Sequence, residues 1–230
     1  MNSVKESLLK QPEAAQRSYY LDHPTLLSPF ETPWDELSRR GYVGGGIVLL
    51  IINQQGELLL NQVPSHREKP QIGRFAGQWN VFTETIERYV DGPNKGQFEC
   101  FIDNLDRAIV EEIGPFALQK MFVPDDAFRE TDYRDPRARQ KIRVHCVIVG
   151  TSPDVLSLID DHDAKKKARE LGSFSWMPIA SLSAVKLEPN ARRIIRRMER
   201  SGYLQRMSDR VVSGAQGTRL VDYIKQKRVA

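Results

Sequence analysis

Apolar positions in this chain fall into two kinds of pattern. The run Val43-Gly44-Gly45-Gly46-Ile47-Val48-Leu49-Leu50-Ile51-Ile52 is continuous, which predicts a strand buried on both faces and is too short to span a membrane. Turn residues Asn53-Gln54-Gln55-Gly56 follow, and Glu57-Leu58-Leu59-Leu60-Asn61-Gln62 begins a second strand, so the pair predicts a hairpin. Ile142–Val149 is another extended run. Between these, the pattern changes period. On a wheel of about 100° per residue, Ile102, Leu105, Ile109 and Ile113 form one stripe of an amphipathic helix that ends at Gly114. Near the end of the chain, Pro189 opens a helix predicted to run to about Tyr203.

The polar positions of the central helix carry the candidate chemistry. Glu112 flanks the apolar stripe and Glu111 lies opposite it, with Asn104 and Ala108 between them in angle. Two adjacent glutamates at a rigid helix end suit a hard divalent cation, which prefers oxygen ligands. The segment Glu99-x7-Arg107-Ala108-Ile109-Val110-Glu111-Glu112-Ile113-Gly114 resembles the signature box of the Nudix family, G-x5-E-x7-R-E-U-x-E-E-x-G-U. Glu99, Arg107, Ile109, Glu111, Glu112 and Gly114 fit that spacing. Ala108 stands where the box has glutamate, Pro115 replaces its last apolar residue, and by raw count Pro93 stands at its first glycine.

The resemblance covers roughly residues 42 to 200. Gly77-Gln78-Trp79-Asn80-Val81 is similar to the glycine-x-tryptophan strand that leads to the box, although Phe82-Thr83-Glu84 replaces the usual Pro-Gly-Gly turn. Glu87 matches the glutamate that precedes the box's own, and Arg88–Phe98 reads as an inserted loop. With that insertion allowed for, Glu84 takes the place of the first glycine. Asp135-Pro136-Arg137 resembles a turn in branches acting on ADP-ribose-like compounds, and Ser175–Leu182 resembles the family's late tryptophan-proline-leucine segment.

The resemblance implies an α/β fold, an α/β/α sandwich of a mixed β-sheet with flanking helices. It implies a Nudix-type pyrophosphohydrolase that uses Mg²⁺ or Mn²⁺ to cleave the diphosphate bridge of a nucleoside diphosphate linked to another group. Glu111 and Glu112 are then metal ligands, and Glu99 a supporting ligand or base. Arg107 holds a glutamate in place; the alternative reading pairs it with Asp103, four residues earlier. Arg137 and Arg74 are the candidate substrate-binding residues. Alanine at position 108 offers no oxygen, so Asn104, Glu84 and Glu87 are considered as further donors. The rival reading is a catalytically weakened ligand-binding or regulatory protein on the same fold. Residues 80–84 contain neither cysteine nor histidine, which argues against isoprenoid isomerase chemistry.

Composition adds bounds. The chain of 230 residues can bury one good core, with 1–40 expected as an N-terminal extension, 41–205 as the Nudix-like domain and 206–230 as a basic tail or short helix. Two cysteines are too few for a disulfide framework or a sulfur-rich zinc site, and no signal-peptide pattern opens the chain, so the expected compartment is the cytoplasm. Net charge is +4, but residues 191–230 hold eleven Lys or Arg against three Asp or Glu. Arg192, Arg193, Arg196, Arg197 and Arg200 recur at helical spacing around Ile194, Ile195 and Met198, as on a solvated helix face. No aromatic platform accompanies them, so a nucleic-acid partner is not expected. No membrane partner is expected either, and a homodimer through the tail stays open.

Overall fold

The computed structural model describes residues 42–63, 75–87, 95, 99, 101–114, 117–134, 141–157, 173–214 and 217–229. The N-terminal extension, nearly all of the 88–98 insertion, Arg74 and Arg137 lie outside the described residues.

The continuous apolar run forms β1 (Tyr42–Asn53), the central strand of a mixed sheet. Its hairpin partner is β2 (Glu57–Gln62), with Ile52 opposite Leu58. Asn53 closes the hairpin: its Oδ1 accepts from the Gln55 and Glu57 amides, and its Nδ2 donates to Glu57. Next come β3 (Trp79–Asn80), paired with β2, and β4 (Phe82–Thr85), paired antiparallel with β1. The residues that replace the family's turn are therefore a strand. Gly46 allows the close approach at the end of β4: a Cβ at this position would collide with the Glu84 carbonyl.

On its other edge β1 runs parallel to β7 (Lys141–Thr151), whose far edge takes β5 (Met121–Val123) and β6 (Phe128–Arg134). The outer strands are β8 (Phe174–Pro178) on β2 and the short β9 (Thr218–Arg219) on β5.

Alternation along β1 sends its residues to opposite faces. Ile47, Leu49 and Ile51 pack with α1 (Phe101–Glu112) and α4 (Leu220–Val229). Val48, Leu50 and Ile52 pack with α2 (Pro189–Arg200) and α3 (Tyr203–Val212). The result is the expected three-layer α/β/α arrangement. The stripe of Ile102, Leu105, Ile109 and Ile113 is fully buried. In α2, Ala191, Ile194, Ile195 and Met198 face the sheet while all five arginines are exposed, the solvated pattern read from sequence. Glu188 caps this helix by accepting from the Asn190 and Ala191 amides.

Of the tail or short helix expected at the C-terminus, the structure shows the short helix, α4. Residue 205 falls inside α3, whose Leu204, Met207 and Val211 are buried, and Leu220 and Ile224 of α4 join the core beside α1. The predicted single helix to Tyr203 is interrupted at Gly202, in the left-handed region at φ 66°.

Candidate active site

The sheet positions the site by setting α1 against β4. Gly114 ends α1 at φ 109°, its amide reaching the Ile109 carbonyl at 2.9 Å, a glycine C-cap that leaves the last turn and its glutamates at the surface.

Arg107 is the hub. Only 5% exposed, it donates Nε to Glu99 Oε1 (2.8 Å) and Nη2 to Glu99 Oε2 (2.9 Å), a bidentate pair with a carboxylate that is itself 3% exposed. Nη2 also reaches the Thr85 carbonyl at 2.5 Å. Nη1 contacts Glu84 Oε1 at 2.7 Å and Glu111 Oε2 at 3.3 Å, with Glu87 Oε1 at 3.7 Å. Arg107 thus ties the end of β4 to the start and the end of α1, and its partners are these glutamates rather than Asp103.

Glu99 is saturated. Besides Arg107, its Oε2 accepts from Asn104 Nδ2 (3.2 Å) and from the Glu87 amide (3.1 Å). Asn104 also donates to the Thr85 carbonyl, and its Oδ1 is buried without a partner among the described residues. Ala108 is 2% exposed and adds no polar atom.

Burial alone would lower the Arg107 guanidinium, but the hydrogen bonds and charges of Glu99 and Glu84 outweigh it and hold it firmly protonated. The Glu84 carboxyl is raised from its ordinary value, chiefly by burial, with the nearby Glu111 charge adding to the effect and Arg107 opposing it. Four carboxylates around one guanidinium leave a negative excess that favours a cation.

The donors are all hard oxygens, but no group of three or more His, Cys, Asp or Glu is placed to hold a metal ion among the described residues. Mg²⁺ does not need such a cage, because it takes one or two carboxylates and completes its shell with waters and substrate phosphate oxygens. Glu111, whose side chain is 54% exposed, and the half-buried Glu112 beside it fit that requirement.

The structure therefore brings Glu99, Arg107 and Glu111 together, with Glu112 next in the chain. Sequence reading raised Glu84 as a donor but did not anticipate it as a second clamp on Arg107. The Thr85 carbonyl was missed outright, since a backbone acceptor has no sequence signal.

Fold and site together define an α/β/α protein with a Nudix-like box helix. No family model matches the chain, and no curated protein matches it. Solved structures similar to it include a mutT/nudix family protein from Listeria innocua, at 15% identity over 72% of this chain and 98% of that one, TM-score 0.47. NrtR from Shewanella oneidensis is similar at 17% identity over 80% and 84%, TM-score 0.43. An Ap4A hydrolase from C. elegans is similar at 13% identity over 69% and 95%, TM-score 0.40. These are likenesses of architecture, and no site residue is assigned from them.

Proposed function

We propose that this chain is a Nudix-type pyrophosphohydrolase that cleaves the P–O–P bridge of a nucleoside diphosphate linked to another group, with Mg²⁺ or Mn²⁺ held at Glu111 and Glu112. The observation that carries this reading is the Arg107 bridge from buried Glu99 to Glu111, because a plain surface helix has no need to fix a helix-end carboxylate from beneath. A divalent cation bound there supplies charge neutralisation on the phosphoryl oxygens and acidifies a bound water.

The chain's own residues do the positioning. Glu99 locks the guanidinium by two parallel bonds, Asn104 and the Glu87 amide lock Glu99, and Arg107 in turn orients Glu111. Glu99 is assigned to this anchoring part, since its oxygens are already taken by four donors. Arg137 and Arg74 are proposed as the cations that meet the substrate phosphates. The products are a nucleoside monophosphate and a second phosphate ester. We place the protein in the cytoplasm, in keeping with its two cysteines, and no helix among the described residues is long and apolar enough to cross a membrane.

Ala108 favours a second reading, a ligand-binding or regulatory protein that keeps the fold after losing catalysis. Thermal melting with Mg²⁺ or Mn²⁺ separates the two. A ligand specific to the folded state at one hundred times its Kd stabilises by about 2.7 kcal/mol, a clear rise in Tm. No shift at millimolar metal, with or without nucleotide, favours the metal-free reading.

A further inference from the structure

We infer that the α1 face of the sheet carries a nucleobase subsite, built by the Asn61 and Asn80 amides and the ring of Phe174. It takes a base edge that offers a donor beside an acceptor, as adenine does. The inference rests on the proposed nucleotide-type substrate and says where its base is held.

Register and alternation bring the three residues together. Asn61 of β2 lies opposite Asn80 of β3 on one side and opposite Phe174 of β8 on the other. Residues directly opposite each other share a face, with Cβ atoms about 4.5–5.5 Å apart. That face is the one α1 covers. Leu59, two residues before Asn61, and Phe82, two after Asn80, both belong to the core beside α1, and Phe174 packs against the same cluster. The strand path then leads from this patch to the Arg107 cluster: Asn80, Phe82 and Glu84 alternate along one face, and Glu84 contacts Arg107 at 2.7 Å. Four residues of strand span about 13 Å, which leaves room for the sugar between a base at Asn80 and phosphates at the end of α1.

The chemistry of the patch exceeds what packing needs, since an apolar residue would serve the layer at position 61 as Leu59 does two places earlier. Asn61 is only 5% exposed, yet its amide makes no hydrogen bond to another described residue. Asn80 spends Oδ1 on the Val81 amide, which leaves its Nδ2 without a partner among the described residues. Polar side chains this deep are nearly always paired, so an unspent amide beside an aromatic ring is what a ligand edge would complete. Asparagine presents a donor and an acceptor side by side, the pattern that reads adenine by two parallel bonds. Phe174 supplies the stacking surface. Its ring lies on Phe82 with centroids 5.8 Å apart and planes 13° from parallel. Phe82 is fully buried in that stack while Phe174 is only partly so, and the outer ring keeps surface for a further flat partner.

Calorimetric titration of the full chain with AMP and with ribose 5-phosphate, both in EDTA, tests the subsite apart from any metal. Stacking a base on one aromatic ring is worth about five- to 150-fold in affinity. AMP is therefore expected to bind at least about fivefold tighter than ribose 5-phosphate, and F174L and N61L each to weaken AMP by at least about fivefold without changing ribose 5-phosphate. N61L is also expected to match or exceed the wild-type Tm, because leucine replaces an unpaired amide with an apolar group of similar size. A lower Tm with unchanged AMP affinity is the mark of a purely structural Asn61 and would overturn its assignment; F174L carries the test if N61L does not fold. AMP binding no tighter than ribose 5-phosphate, or AMP affinity unchanged in both variants, would overturn the subsite and leave the proposed hydrolysis standing. Base-dependent binding by a chain that cleaves no diphosphate would support the subsite and overturn the hydrolysis.

Discussion

Replacing Arg107 with methionine is the most informative single perturbation of the fold, because the two consequences of that change can be separated. Methionine keeps most of the apolar stem but removes six contacts: two to Glu99, one to the Thr85 carbonyl, and one each to Glu84, Glu111 and Glu87. The exposed end of Glu111 contributes little to this sum, since ion pairs at such positions are worth about 0–1 kcal/mol. Glu99 dominates, because at 3% exposure its carboxylate would be left buried with only Asn104 and the Glu87 amide as partners. Breaking a buried pair by removing one member costs about 3–5 kcal/mol. That is a large share of the roughly 5–15 kcal/mol by which domains are stable. Adding E99Q removes the stranded charge, so R107M/E99Q should be more stable than R107M alone. Urea unfolding followed by far-UV circular dichroism at pH 7 measures all four corners of the cycle. A loss below about 1 kcal/mol for R107M, or strictly additive single changes, would refute the account of Arg107 as the hub.

Three further outcomes follow from the same geometry. Gly46→Ala drives a Cβ into the Glu84 carbonyl, so β4 must shift; the expected loss is about 1–3 kcal/mol, and urea midpoints no lower than wild type would show that β4 does not sit so close. Burial pushes the Cys146 thiol up to about 12, outweighing the Arg197 charge, so iodoacetamide at pH 8 should leave Cys146 unmodified in the folded chain and modify it in urea, as peptide mass spectrometry would show. Glu84 has a raised carboxyl pKa, so the folded chain binds its proton more tightly than the unfolded chain. Its contribution to stability is then fully present below its ordinary value of 4.5 and is lost as pH rises through the folded pKa. Wild type compared with E84Q should therefore lose relative stability from about pH 4.5 toward neutrality, and a relative gain over that range would reverse the assigned sign.

The parts of the fold that were legible in the sequence are those whose signal is local and strongly periodic. The β1 run and the stripe of Ile102, Leu105, Ile109 and Ile113 each fix an element and its buried face with no reference to distant residues. Gly114 marks the end of α1 for an equally local reason, a positive φ that glycine adopts freely. Less legible were elements that depend on partners far along the chain. Phe82–Thr85 aligns with a turn in the family pattern, and it is a strand by pairing with β1. Strand β9 has two residues and no periodicity to read. Among the described side chains of α4, Leu220 and Ile224 are the buried ones, too little pattern to distinguish a packed helix from a tail. The site divides the same way. Spacing singled out Glu99, Arg107 and Glu111 as candidates, but the saturation of Glu99 and the clamp from Glu84 join residues as many as 23 positions apart. Those links exist only once β4 and α1 are packed.

The central claim is cation-dependent cleavage of a diphosphate at the end of α1. A panel of dinucleotides, nucleotide sugars and nucleoside triphosphates, incubated with Mg²⁺, Mn²⁺ or EDTA and analysed for phosphate-ester products, tests it most directly when wild type and E112Q are run side by side. The account predicts release of a nucleoside monophosphate and a second phosphate ester by the wild type with metal, none with EDTA, and none by E112Q. Equal turnover by E112Q, or no cleavage of any compound by the wild type, would contradict it.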